Sequence, residues 1–146
     1  MITFSDDQLY DIDNELARYI TAALKQFLAK MKDLNETCGI FTVPNDFYPA
    51  NVFELTREEY EEVDKKAAKE WFKTIEKMIV GFDVDAAPDA ADYDFGVDFG
   101  SRNDDGRFAV RNEEEFNRYK RDMTEYEYAA QDGRLLFAKY FTSLWI

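Results

Sequence analysis

The chain has no histidine, and that absence excludes more than any motif in it adds. Histidine is the side chain most used for proton transfer near neutral pH. Without it, no Ser-His or Cys-His nucleophile pair can be assembled. The single cysteine, Cys38, cannot form an internal disulfide, and no Cys/His cluster exists to hold zinc. Bases are scarce as well. Eighteen Lys and Arg stand against thirty-one Asp and Glu, a formal charge of -13. Such a surface repels nucleic acid and anionic lipid and attracts basic proteins or cations. No apolar run reaches the roughly 18 residues a membrane span needs. The opening MITFSDDQLYDIDNE has neither the basic start nor the apolar stretch of a signal peptide, so a soluble, cytoplasmic protein is expected.

What the chain does have is aromatic bulk. Thirteen Phe, nine Tyr and two Trp in 146 residues supply a core for one domain, expected over 1–146. Helical periodicity predicts three long helices. The first, about 5–33, starts near Ser5 with Asp6 and Asp7 in its first turn, where the helix dipole favours acids. Its apolar face runs Leu9, Ile12, Leu16, Tyr19, Ile20, Ala23, Leu24, Phe27, Leu28 and Met31. Residues 34–55, with two prolines and several aromatics, read as a connection folded over the helices.

The second helix, about 56–82, opens on 56-TREE-59, a capping-box pattern. Its charged first half offers Glu61–Lys65 and Glu62–Lys66 as i,i+4 pairs with the acid first. The third helix, about 112–145, is capped by Asn112, with Glu115 placed to complete a capping box. Phe116, Tyr119, Met123, Tyr126, Ala130, Gly133, Phe137, Tyr140 and Leu144 then recur at alternating three- and four-residue steps, a heptad seam made to lie against another helix. Its small members Ala130 and Gly133 allow close approach there. Gly133 could instead break the helix, and one continuous helix with a weak point is expected. Trp145 and Ile146 suggest a carboxyl end packed down.

Between the second and third helices lies 92-DYDFGVDFGSRNDDGRFAV-110, with Asp-Phe-Gly twice. A kinase reading fails, since no Gly-rich phosphate loop, strand lysine or catalytic-loop Asp-Asn pair accompanies it. A calcium loop fails too. Framed from Asp98, glycine stands at the third position and Asn103 at the sixth. Framed from Asp92, Gly96 takes the fifth position and Asn103 the twelfth. The alternation of Tyr93, Phe95, Val97 and Phe99, and of Phe108 and Val110 after an Asn-Asp-Asp-Gly turn, predicts a two-stranded ribbon with its aromatic face on the helices. The preceding DVDAAPDAAD reads as a mobile acidic linker. The expected fold is thus mainly α, a three-helix bundle with a small two-stranded β-ribbon inserted between helices two and three. With no buried acid, metal set or cofactor motif in sight, a non-enzyme with no catalytic residues, cofactor or metal is expected.

Two segments, 71-WFKTIEKMIVGF-82 and 133-GRLLFAKYFTSLW-145, carry a resemblance. They are similar to the ends of a group of small phage-encoded, mostly helical proteins of unassigned function, which pair a Trp-initiated helix ending Lys-Met-Ile-x-x-Phe with a terminal Gly-x-x-Leu-Phe-x-Lys-Tyr-Phe-x-x-Leu-Trp. The opening DIDNELARYITAALKQFL looks like their first helix. The chain departs from that pattern in its longer second helix before Trp71 and in its Asp-rich ribbon. The resemblance implies a helical fold, a phage origin and hence a bacterial host cell; it brings no site residues.

The functional expectation is an acidic interaction protein. It would bind and inhibit a basic, nucleic-acid-handling host protein, such as a restriction or CRISPR effector or a polymerase, by imitating DNA, which carries a charge about every 1.7 Å of axis. Glu58, Glu59, Glu61 and Glu62 on the second helix and Asp92, Asp94, Asp98, Asp104 and Asp105 around the ribbon are the expected partner-binding acids. The alternative is a small anionic-ligand binder, a sponge for a nucleotide signal, using Arg102, Arg107 and Arg111 with Tyr93, Phe99 or Phe108. A third reading is a self-associating structural or virion component, with a homodimer through the seam of the third helix. Direct binding to nucleic acid or membrane is not expected.

Overall fold

The computed structural model describes residues 3–145. The protein is mainly helical, with one small two-stranded antiparallel sheet. The long helices are α2 (Ile12–Glu36), α3 (Arg57–Phe82) and α4 (Glu113–Tyr140), preceded by the one-turn α1 (Asp6–Tyr10); the strands are β1 (Val97–Arg102) and β2 (Phe108–Val110). The chain forms two compact units. One takes the residues up to Val84 and from Ala129 onward; the other is Asp85–Tyr128.

In the first unit, Ser5 caps α1 and forms a capping box with Gln8, but the helix expected to run on from there is interrupted at Asp11 (φ -129°, ψ 36°) before α2 begins. Down α2, Ala17, Thr21, Leu24, Leu28 and Met31 are buried at alternating steps of four and three. They meet Ala67, Ala68, Trp71, Ile75 and Met78 of α3, and Trp71, Met31, Ile75 and Met78 are the largest fully buried side chains. Lys25 bonds Asp83 at 3.1 Å and Lys32 bonds Glu76 at 2.9 Å. Seven residues forward on α2 thus answer seven backward on α3, so the two helices run antiparallel. The apolar face expected on the first helix is wider than the buried one. Leu9, Leu16 and Tyr19 stay exposed.

The connection after α2 lays Phe41, Val43, Phe47 and Tyr48 on this core. Phe47 packs against both Trp71 and Tyr140, each at 5.6 Å between ring centroids. The end of α4 reaches the same cluster. Trp71 and Tyr140 meet edge to face at 5.4 Å, and Phe82 meets Phe137 at 4.9 Å. Gly133 does not break α4. It is buried against α3, where an added Cβ would strike the Lys77 carbonyl oxygen and come within 2.7 Å of the Gly81 nitrogen. The close approach expected at Ala130 and Gly133 is therefore present, and its other side is Gly81. Trp145 is 56% exposed, so the carboxyl end is not packed down as expected at that residue; Ile146 lies outside the described residues.

The segment DVDAAPDAAD, residues 83–92, carries local structure of its own. It makes two 3-10 turns, Val84–Ala86 and Ala90–Asp92, the second capped by Asp89, whose carboxylate accepts the Ala91 N–H at 2.9 Å. The ribbon pairs Val97 with Val110, Asp98 with Ala109 and Arg102 with Phe108, with an irregularity between Asp98 and Arg102. Its turn closes through Gly106 N–H to the Asn103 carbonyl at 2.8 Å, and Gly106 takes the left-handed conformation (φ 80°). The extended run expected from Tyr93 starts only at Val97, because Gly96 (φ 56°) turns the chain. As a result Tyr93 and Phe95 leave the ribbon and pack on the first turns of α4, against Tyr119 and Phe116. Phe99 and Phe108 were expected to face the helices. Phe99 does not, being 76% exposed; Phe108, 41% exposed, pairs with it at 5.3 Å and lines a hollow shared with Phe116 of α4.

Candidate interaction surface

The acids at the start of α3 are all exposed, but local structure already engages three of them. Glu59 accepts the Thr56 N–H at 2.8 Å and completes the predicted capping box, which holds its carboxyl below the usual range. Glu61 bonds Arg57 at 3.1 Å, and Glu62 faces Lys65 at 3.5 Å. The expected pairs Glu61–Lys65 and Glu62–Lys66 are replaced by these, since bases one turn before and three residues after lie nearer. Pairs this exposed contribute little to stability and leave the carboxylates accessible. Glu58 extends the exposed row.

In the second unit, Asp92 and Asp94 are exposed beside the 3-10 turn, and Asp104 and Asp105 form the ribbon tip. Asp105 accepts the Arg107 N–H at 3.1 Å. Asp98 is half-buried. Its carboxyl is held below the usual range, chiefly by the Gly100 N–H at 2.9 Å and then by Ser101 and Arg111. The three arginines each have contacts of their own. Arg102 sits over the Phe108 ring at 4.4 Å and donates to the Gly106 carbonyl at 2.7 Å. Arg107 faces Asp105 at 3.5 Å, and the Arg111 side chain lies beside Gly96.

At the start of α4, Asn112 caps as predicted, accepting the Glu115 N–H at 3.2 Å, but the capping box is only half made. The Asn112 N–H goes to the Phe95 carbonyl at 2.9 Å, and the Glu115 carboxylate turns to Arg118 at 2.8 Å and to the Asp94 N–H at 3.4 Å. Arg118 first, and the Asp94 amide after it, hold the Glu115 carboxyl below its usual range. Between the ribbon and these turns lies a hollow of ≈ 390 Å³ lined by Asp105, Arg107, Phe108, Glu113, Phe116 and Lys120, with Asn103 and Asn117 at its sides. Sequence reading did not single out Glu113, Asn117 or Lys120. The run 113-EEE-115 was legible, but only the ribbon's placement makes it one wall of a cavity.

A half-buried polar contact was also missed. The Tyr48 hydroxyl donates to Asp64 at 2.6 Å, with Tyr60 stacked on Tyr48 at 6.4 Å. Burial first, and the Asp64 carboxylate second, push the Tyr48 hydroxyl above its ordinary range. Among the described residues, no three acid or cysteine side chains converge as a cation site requires, and no helix is long and apolar enough to cross a membrane. No protein family matches the chain, and neither a curated protein nor a solved structure does.

Proposed function

We propose that this is an acidic interaction protein of phage type that binds, and thereby inhibits, a basic nucleic-acid-handling protein of a bacterial host by imitating the charge of DNA. The observation that carries the reading is where the charge lies. Residues 85–128 hold thirteen acids against six bases, which leaves -7 of the chain's -13 in under a third of its length. A field of that density draws a cationic surface from beyond contact distance and repels nucleic acid itself. The acids assigned to the partner are Asp92, Asp94, Asp98, Asp104 and Asp105, together with Glu58, Glu59, Glu61 and Glu62. The resemblance of 71–82 and 133–145 to phage-encoded helical proteins supports a bacterial host and a cytoplasmic setting. We also infer that α2, α3 and the last part of α4 form the expected three-helix bundle; the Gly81–Gly133 approach and the Phe82–Phe137 contact support it.

The anionic-ligand reading has less support, because Arg102, Arg107 and Arg111 are each engaged separately. Self-association through the α4 seam has less support too, since α3 already covers Gly133 and Phe137 within the chain. The test is retention of a host protein from nuclease-treated bacterial lysate on the tagged chain, followed by challenge with salt and with duplex DNA. A DNA mimic retains a basic nucleic-acid-binding protein that both challenges release, and the triple variant Asp92→Asn, Asp94→Asn, Asp104→Asn retains less. A retained protein indifferent to DNA, or none at all, sinks the proposal.

A further inference from the structure

Resting on that reading, we propose that the hollow between the ribbon and the start of α4 is the point where the partner inserts an arginine side chain. Its two rings, Phe108 and Phe116, already accept cations. Arg102 stands over Phe108 at 4.4 Å and Lys120 over Phe116 at 4.8 Å. The chain's own cations thus trace the contact that an incoming guanidinium, displacing them, would make. Two acids line the hollow with the rings, Asp105 from the ribbon tip and Glu113 from the first turn of α4. Asn103 and Asn117 also line the hollow, and an Asn side-chain oxygen can accept from a guanidinium's remaining N–H groups.

Sign is the decisive question, because Arg107 and Lys120 also line the hollow. With Arg102 over Phe108, three bases stand there against Asp105 and Glu113, a local +1 set in a unit that carries -7 over residues 85–128, and that surrounding field favours a cation over a phosphate. Arginine fits better than lysine. Its planar guanidinium can stack on a ring and fork to a carboxylate at once, whereas an ammonium is a strongly hydrated point charge. The opposing local pair, Arg107 with Asp105, is 3.5 Å apart with 85% and 56% of the two side chains exposed, too weak to keep a partner out. At ≈ 390 Å³ the hollow lies at the small end of the range for ligand sites, about 300–1,000 Å³, which suits one side chain rather than a folded segment.

The test titrates the full chain with hexa-arginine, hexa-lysine and ATP, following the Asn103 and Asn117 side-chain amides by NMR and affinity by fluorescence anisotropy. Hexa-arginine is expected to move both amides and to bind more tightly than hexa-lysine. Asp105→Asn with Glu113→Gln should weaken it by about tenfold, as loss of a charged anchor does. Glu125→Gln with Glu127→Gln removes the same charge from exposed positions elsewhere on α4, and should weaken it by less than about threefold, a field effect alone. Equal losses from the two pairs would mean that only the diffuse field matters; the hollow would then not be a site, while the charge-mimic reading would stand. Hexa-arginine that fails to bind the unaltered chain would overturn both. ATP moving the amides while hexa-arginine does not would make the hollow an anion site and overturn the inference.

Discussion

At the scale of single residues, the contact between Tyr48 and Asp64 shows how a side chain's surroundings redefine it. In the sequence Asp64 is one more acid in a run of charge; in the structure it is half-buried and accepts the Tyr48 hydroxyl. Tyr48→Phe should lower stability by about 1 kcal/mol near neutral pH, the usual net value of such a bond. The pH dependence has a definite sign. The folded state raises the Tyr48 pKa, so the bond's contribution is intact below the unfolded value of about 10 and is lost as pH climbs above it. Urea unfolding of both proteins at about pH 7 and about pH 10.5 should therefore show the gap narrowing at the higher pH. A gap that stays constant would mean the hydroxyl is not held by Asp64.

Among the elements, the crossing of α3 and α4 decides the sign of a common substitution. Replacing glycine by alanine inside a helix ordinarily gains up to about 1 kcal/mol. At Gly133 the new methyl would meet backbone, the Lys77 carbonyl and the Gly81 nitrogen, which cannot rotate away as a side chain could. Overpacking of about 1–3 kcal/mol then outweighs the propensity, and Gly133→Ala should melt lower than the parent. Gly81→Ala should behave alike, because its methyl would come within 2.7 Å of the Arg134 nitrogen. A higher melting temperature in either variant would show that the helices do not approach there. The ribbon makes the complementary point. Gly96 ends the extended run early, and Tyr93 and Phe95 anchor to α4 while Phe99 remains outside.

For the whole molecule, charge is the dominant variable. At -13 the chain repels itself, and its ion pairs are largely exposed. Salt weakens both effects, but exposed pairs are worth so little that relief of repulsion should win. Raising ionic strength from about 0.01 M to 0.15 M, which shortens the screening length from about 30 Å to 8 Å, should raise the melting temperature by a few degrees. A fall on adding salt would mean the ion pairs contribute more than their exposure suggests.

The sequence by itself determined the local features. Ser5, Thr56 and Asn112 stand where helices begin, the α4 seam faces inward along its length, and Asn-Asp-Asp-Gly turns the ribbon, because caps, periodicity and turns depend on residues a few positions apart. The surplus of acid was equally plain. Only the tertiary structure decided which apolar residues of the first helix would be covered, that Gly81 would answer Gly133, and that Asp64 would meet Tyr48 across a folded connection. It alone set Asp105 and Glu113 around one hollow. Such contacts join segments far apart in the chain, so they depend on how the chain folds back rather than on local preference, and no short pattern of residues encodes them.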